Sequence, residues 1–363
     1  MDLTDRRFPL SSAAKKHILS KIFGCETKPD GTLSDSYFSY YEDVVENSPA
    51  SSLTDSHQSI ADTVALIRSA KTTKTAVEDY LRKRLPKDEV EDSDDLIGDA
   101  IRLATRLLIM MPIEGLNTRG LTMRVSGETK IRWEVGPIAR VINSYISPGV
   151  FGFGQLKREP VKLGRIFNAR ILERIASVKI RWTSNLADHL RMRDEDTVVE
   201  IFHNASFLKL HQHCQTQEQV LPSEFLDETL KTLALLMPEH DKDTEKWFKK
   251  HQAKVQKQGK LPLDPLVREC GQLKAEQRNI ESFNYWQERL AILKQVFDEA
   301  EPKNIKQWWH DRRKLVQWST FWVAALVLIL TIVFGLIQCI EGGLQVWLAY
   351  KALPSQNIGG NDA

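Results

Sequence analysis

Residues 307–343 read QWWHDRRKLVQWSTFWVAALVLILTIVFGLIQCIEGG, and the fold class turns on whether this run is a buried core helix or a membrane span. Over 321–337 the apolar run is interrupted only by Thr331 and Gly335, and continuing to Ile340 admits Gln338 and Cys339. A helix of about twenty residues rises roughly 30 Å, the hydrocarbon thickness of a bilayer. Leu, Ile, Val and Phe fill twelve positions of 321–337, and together they favour insertion by about 4–7 kcal/mol. No charged residue lies inside to oppose them. Trp308, Trp309, Trp318 and Trp322 crowd the N-terminal boundary, while Trp347 and Tyr350 follow the run; amphipathic rings favour such interfacial positions. A core helix of a soluble domain carries a polar stripe, and this run carries none. The sequence therefore predicts one transmembrane helix over 318–340.

Charge sets the expected orientation. Lys303, Lys306, Arg312, Arg313 and Lys314 precede the span, and Lys351 alone follows it. The positive-inside rule then places the N-terminal bulk in the cytosol and the short tail, 341–363, across the membrane. The opening MDLTDRRFPLSS has no apolar h-region, so no cleavable signal peptide is expected. No other stretch reaches spanning length; the nearest, RLLIMMPI, ends at a proline. The expectation is a single-pass, tail-anchored protein with the lipid bilayer as its first partner.

The rest of the chain suits a folded domain. Of 363 residues, 42% are hydrophobic and 27% charged, enough for at least one sizeable core. Net charge is +2, so no global field for nucleic acid exists and none is expected as a partner. Cys25, Cys214, Cys270 and Cys339 are far apart and do not read as a disulfide framework, which suits a reducing compartment. The sequon Asn204-Ala205-Ser206 is expected to stay unmodified in the cytosol.

Composition divides the chain into a loosely ordered segment over 1–55, a domain over 56–255, a helical membrane-proximal segment over 262–317, then span and tail. Within the first, SYFSYY (36–41) is expected to pack on the domain while its flanks stay loose. Amphipathic helices are predicted over 55–70, 75–85 and 94–111, the last with Leu96, Ile97, Ala100, Ile101, Ala104, Leu107 and Leu108 on one face and Pro112 as its stop. LTMRV-SGE-TKIRW (121–133) reads as a β-hairpin. Helices are expected over 136–147 and 165–176, and strands over 179–182 and 197–202, giving a sheet of about four. KIRW occurs twice, at 130–133 and 179–182, with Ile and Trp expected inward. Beyond Ser223, taken as a helix cap, all elements look helical, including 266–278 and 280–299; in the latter Phe283, Trp286, Leu290, Leu293 and Phe297 step by three and four. That is short of a coiled coil, so the five are expected to pack on the domain.

Chemistry is less visible. GVFGFG (149–154) lacks the Lys-Ser/Thr ending of a phosphate loop, so no cofactor is expected. HQHC offers His211, His213 and Cys214 but no convincing fourth metal ligand; exposed histidines at a polar helix end are the plainer reading. Asp188 and His189 are adjacent, so they do not form a dyad by themselves, whereas His203 could approach His189 if the strands pair. Within the span, Thr331, Gly335, Cys339 and Gly343 recur every four residues and form a candidate face for helix self-association.

The ordered series AIRLATRLLIM, ETKIRW, IFNARILERIASVKIRWTSNLADHLRMRDEDTVVEIFHNASFL, LDETLKTLALLMPEHDKDTEKWF and the segment from NYWQERL through the span resembles a family of filamentous-fungal proteins of unknown function. The resemblance covers roughly 94–350 and implies a fungal, membrane-anchored protein; it carries over no catalytic residue. The expected fold is α+β, mostly helical with a small sheet, plus one C-terminal transmembrane helix. The expected function is a membrane-tethered interaction or scaffold module with a cytosolic or membrane protein partner. The alternative is a hydrolase-like enzyme with a pocket near residues 182–203, lined by Asp188, His189, Glu200 and His203.

Overall fold

The computed structural model describes residues 3–25, 31–86, 93–114, 127–147, 161–214, 219–300 and 315–352. Among them lie twelve α-helices and three strands, and the chain separates into two compact units, Met1–Ala300 and Glu301–Ala363.

The first unit begins with α1 (Ser12–Phe23). Ser11 caps it by accepting the Ala14 N–H, and Gly24, at φ 73°, closes it in the left-handed region. The following α2 (Gly31–Glu46) buries Tyr37, Phe38, Tyr40 and Tyr41. Tyr37 donates to the Leu107 carbonyl at 3.1 Å, Tyr40 to that of Arg106 at 3.4 Å, and Tyr41 pairs with His57 Nδ1 at 3.0 Å. The aromatic patch packs as expected, but its flanks are not loose. They form two helices because α1 and α2 each present apolar residues at helical spacing to the same core.

Helices α3 (His57–Arg68), α4 (Lys74–Arg84) and α5 (Ser93–Ile109) stand where the periodicity placed them. Ser56 and Thr73 cap the first two, and Ile97, Ala100, Ile101, Ala104, Leu107 and Leu108 of α5 are buried. The hairpin expectation fares differently. Its whole first strand, 121–125, lies outside the described residues, and among the described ones 127–133 forms only an isolated bridge, Ile113 to Ile131. Even so, Ile131 and Trp133 are buried while Lys130 and Arg132 are exposed; the alternation held without the ladder. After α6 (Ile138–Tyr145), the glycine-rich GVFGFG also falls outside the described residues.

A short helix, α7 (Ala169–Arg174), capped by Asn168, leads into the sheet. Strands β1 (Lys179–Thr183), β2 (Met192–Arg193) and β3 (Val198–Phe202) lie in the order β1-β3-β2. β1 runs parallel to β3 in register from Lys179↔Val198 to Thr183↔Phe202, and β2 pairs antiparallel to β3. Among the described residues three strands stand where about four were expected, and there the first KIRW copy makes only the isolated bridge at Ile131.

Helices α8 (Ala205–His213), α9 (Ser223–Leu236) and α10 (Lys242–Lys257) follow. Ser223 is the first helical residue behind Pro222 and makes no capping bond. The helix expected over 266–278 is instead two 3-10 turns, Pro265–Glu269 and Glu276–Arg278, separated by Gly271 at φ 89°. α11 (Gln287–Glu299) is shorter than the 280–299 expected, yet Phe283, Trp286, Leu290, Leu293 and Phe297 are all buried. Through these five side chains the membrane-proximal segment up to Ala300 joins the same core.

Two tertiary ties hold this unit. Cys25 and Cys214, 189 residues apart, are disulfide-bonded with Cα atoms 4.8 Å apart, which corrects the reading of four unpaired cysteines. Spacing could not reveal the pair, because folding alone brings the end of α1 to the end of α8. The second tie is Glu228 on α9, buried at 4% exposure. Its carboxylate accepts the N–H groups of Asn284, Tyr285 and Trp286, each at 2.7 Å, so it ties the three residues that lead into α11 to α9.

The second unit contains α12 (Leu315–Ala352). Within Ser319–Ala352 the most apolar 18-residue window has mean hydropathy 2.8, and none of that window is buried. The helix is long and apolar enough to cross a membrane, and it continues past the expected boundary at 340 through Glu341 to Ala352. Trp318 and Trp322 lie on its first turns, and Lys351 sits 5.1 Å from the Trp347 ring. Trp308, Trp309, Arg312, Arg313 and Lys314 are outside the described residues.

Replacing Glu228 by Ala leaves three N–H groups without their acceptor and should cost about 3 kcal/mol or more of unfolding free energy. Glu224→Ala, exposed on the same helix, should change it by less than about 0.5 kcal/mol. Denaturant unfolding of both variants checks this, and equal midpoints would remove Glu228 from its role.

Candidate functional site

The segment 182–203 supplies the densest polar chemistry in the described chain. Asn185 caps a 3-10 turn, Leu186–Asp188, by accepting the Ala187 N–H. Asp188 is 1% exposed, and its carboxylate collects the Thr129 N–H (3.2 Å), the Thr129 hydroxyl, Asn185 Nδ2 (2.7 Å), Arg191 (3.1 Å) and Arg193 (3.5 Å). Arg193 reaches on to Glu200 at 3.0 Å, and Arg181 approaches the other Glu200 oxygen at 3.6 Å. These side chains fasten residues 127–129 to the edge of the sheet. Every lone pair accounted for in this way is unavailable to a substrate.

The two histidines are committed too. His189 accepts the Phe202 N–H at Nδ1 (3.1 Å), so its Nε2 carries the proton towards Thr232 Oγ1 (2.7 Å). Its ring stands edge-on to Trp286 at 4.8 Å. His203 accepts the Asp264 N–H at 3.3 Å and meets Ser184 at 3.3 Å. Strand pairing does occur, yet these two rings make separate bonds rather than a joint site. Burial pushes His189 down to about 3 and His203 down to about 4, so both are neutral structural groups at neutral pH.

The HQHC motif resolves in the same direction. His211 is 6% exposed rather than solvated, with Nε2 against the Leu108 carbonyl at 3.1 Å, and Cys214 is held in the disulfide. Among the described residues no cluster of three or more His, Cys, Asp or Glu side chains is arranged to hold a metal. Asn204 of the sequon is 2% exposed at the start of α8, so burial shields it from modification in the folded domain on either side of a membrane.

An open cleft lies away from this network. A cleft of about 470 Å³ is walled by residues 164–171, 234–243 and 272–278, among them Arg165, Arg170, His240, Lys242 and Arg278. No local motif marks these residues in the sequence, since three distant segments contribute them. In α12, Thr331, Gly335, Cys339 and Gly343 share one face by their spacing; Thr331 bonds back to the Val327 carbonyl at 2.8 Å, and a Cβ added at Gly335 or Gly343 would meet nothing within 4 Å.

No protein family, curated protein or solved structure matches the chain. Its chemistry therefore has to be read from these side chains.

The three buried histidines give a signed pH dependence. His189, His203 and His211 sit at about 3, 4 and 4 in the folded chain, against about 6.5 when unfolded. Their stabilisation is complete above pH 6.5 and is lost as pH falls towards 4, because only the unfolded chain then takes up protons. Burial raises Glu228 and Asp264, which opposes this loss at the acid end. Unfolding free energy should drop by several kcal/mol between pH 7 and 4, with a shallower slope in His211→Gln; identical slopes would mean the ring titrates normally when folded.

Proposed function

We propose that this chain is a membrane-tethered interaction module, a folded domain of about three hundred residues held at a bilayer by α12. The observation that carries the proposal is the segment Ser319–Ala352, whose most apolar 18-residue window has mean hydropathy 2.8 and is left wholly unburied. An exposed apolar surface of that length requires lipid or protein around it. The interaction role is supported by the fate of the segment 182–203: Asp188, His189, Glu200 and His203, the residues of the enzyme alternative, are spent on internal bonds rather than facing a cavity. The fungal family resemblance agrees with an anchored protein and adds no activity.

The basic residues from Lys303 to Lys314 support a cytosolic domain. A second orientation is favoured by the Cys25–Cys214 bond, since disulfides persist on the oxidising side of membranes. Both readings meet one experiment on the full chain in sealed microsomes. The protein should resist alkaline carbonate extraction, and removal of residues 315–352 should release it; release of the intact chain would end the anchor proposal. External protease should digest a cytosolic domain, whereas protection together with only two alkylatable thiols before reduction would place the domain in the lumen. Glycosylation at Asn204 is no reporter here, because that side chain is buried.

The span also offers a partner of its own kind. Lipid does not drive helices together hydrophobically, so close approach at small residues is a common route to association. In a transmembrane self-association reporter, Gly335→Leu should weaken the signal while Leu328→Ala on another face leaves it unchanged. Equal signals from both variants and the parent would leave α12 a plain anchor.

A further inference from the structure

We propose that the cleft between α7, the first turn of α10 and the 3-10 turn Glu276–Arg278 binds the phosphate group of a phosphate ester. Main-chain bonds join its three walls. Leu163 N–H donates to the Arg278 carbonyl at 2.7 Å, Ile280 to Val161 at 3.0 Å, and Glu239 to Gly271 at 3.3 Å. Arg268 holds the rim by donating to the Pro238 and Glu239 carbonyls at 2.6 and 2.8 Å. The cleft is thus shaped by backbone rather than by side chains that would yield to a ligand.

Its lining carries an excess of positive charge. Arg165, Arg170, Lys242 and Arg278 face Asp241 and Asp243, four cations against two anions, an excess of two. A phosphate monoester carries about −1.5 to −2 at neutral pH, which matches that excess better than a single carboxylate does. Nor do the two acids neutralise the cations closely. Asp241 is engaged as the cap of α10, accepting from Thr244 at 2.7 Å and from the Asp243 N–H at 3.0 Å. Asp243 is 68% exposed and reaches Arg170 only at 3.8 Å.

The decisive detail is that Nε of Arg170 and Nε of Arg278 are both buried without a hydrogen-bond partner. A buried donor without an acceptor is costly; neither Nε is accessible as it stands, so an anion in the cleft meets the guanidinium groups of Arg170 and Arg278 and reaches these donors when the side chains turn. A tetrahedral anion with several acceptor oxygens can satisfy arginine forks from two sides. At about 470 Å³ the cleft also has room for an organic group beside the phosphate. The ester can be a soluble metabolite or a lipid headgroup; the recognised group is the same.

The test uses the full chain in neutral detergent and reads the thermal midpoint. Millimolar glycerophosphate or inositol phosphate should raise it by about 2–4 °C over chloride at equal ionic strength. Arg170→Gln and Arg278→Gln should abolish the rise, while Arg132→Gln, at an exposed position outside the cleft, retains it. Each shift is measured against the same variant without ligand, so a variant of lower stability remains informative. Broadening of the phosphorus NMR line, lost in the same two variants, gives an independent reading. Mixed micelles containing phosphatidylinositol phosphate identify a lipid source if they protect at lower concentration than the free esters, and a soluble source if they do not. The absence of a shift with every phosphate, or shifts unchanged in Arg170→Gln and Arg278→Gln, would overturn the proposal. The membrane reading stands or falls separately, because the soluble probes do not depend on α12.

Discussion

The buried carboxylate of Glu228 is the interaction on which the arrangement of the domain depends. It accepts three consecutive backbone N–H groups and so fixes where α11 begins. Thr229, one residue on, accepts from the Trp286 indole at 2.9 Å. With that start in place, Leu290, Leu293 and Phe297 enter the core. Arg289 is then carried to the Ala187 and His189 carbonyls, at 2.8 and 2.5 Å, where burial pulls its pKa down to about 10. One helix, α9, therefore sets α11, and α11 in turn sets the loop that bears His189. His189 closes the circuit by returning to Thr232 of α9.

The same device recurs. Asn204 makes no side-chain cap for α8; instead Asp264, 58 residues away, accepts the Ser206 N–H at 2.6 Å. Asp188 likewise gathers donors from residue 129, 59 positions distant. Each carboxylate is desolvated but fully bonded, the condition under which a buried charge is tolerated. This explains why the segment that looked most like chemistry is architectural. A polar residue that answers another element's orphan donors leaves little capacity for a substrate.

Two features pull on the cellular placement. The basic flank of the span favours a cytosolic domain, and the Cys25–Cys214 bond favours an oxidising surrounding. Both can be true of a chain only if the bond is retained against a reducing pool or the flank does not set orientation. The phosphate-binding proposal is indifferent to that choice, since its walls and charges all lie within the first unit.

Sequence periodicity by itself determined α3, α4, α5, β1, β3, α9 and the apolar span, because each records its own burial in its spacing of apolar residues. It also contains the signals of α1: Ser11 before the helix, Ala14, Ile18 and Ile22 on one face and Gly24 after it are all local. The first KIRW copy shows readable alternation at Ile131 and Trp133, while the strand expected to pair with it, 121–125, lies outside the described residues. Only the tertiary structure decided the disulfide, the distant caps at Glu228 and Asp264, the engagement of Asp188 and His189, and the cleft of Arg165, Arg170, Lys242 and Arg278. Periodicity reports which face of an element is buried; it carries no information about which distant groups meet there, and hydrogen bonds and charge clusters are properties of those meetings.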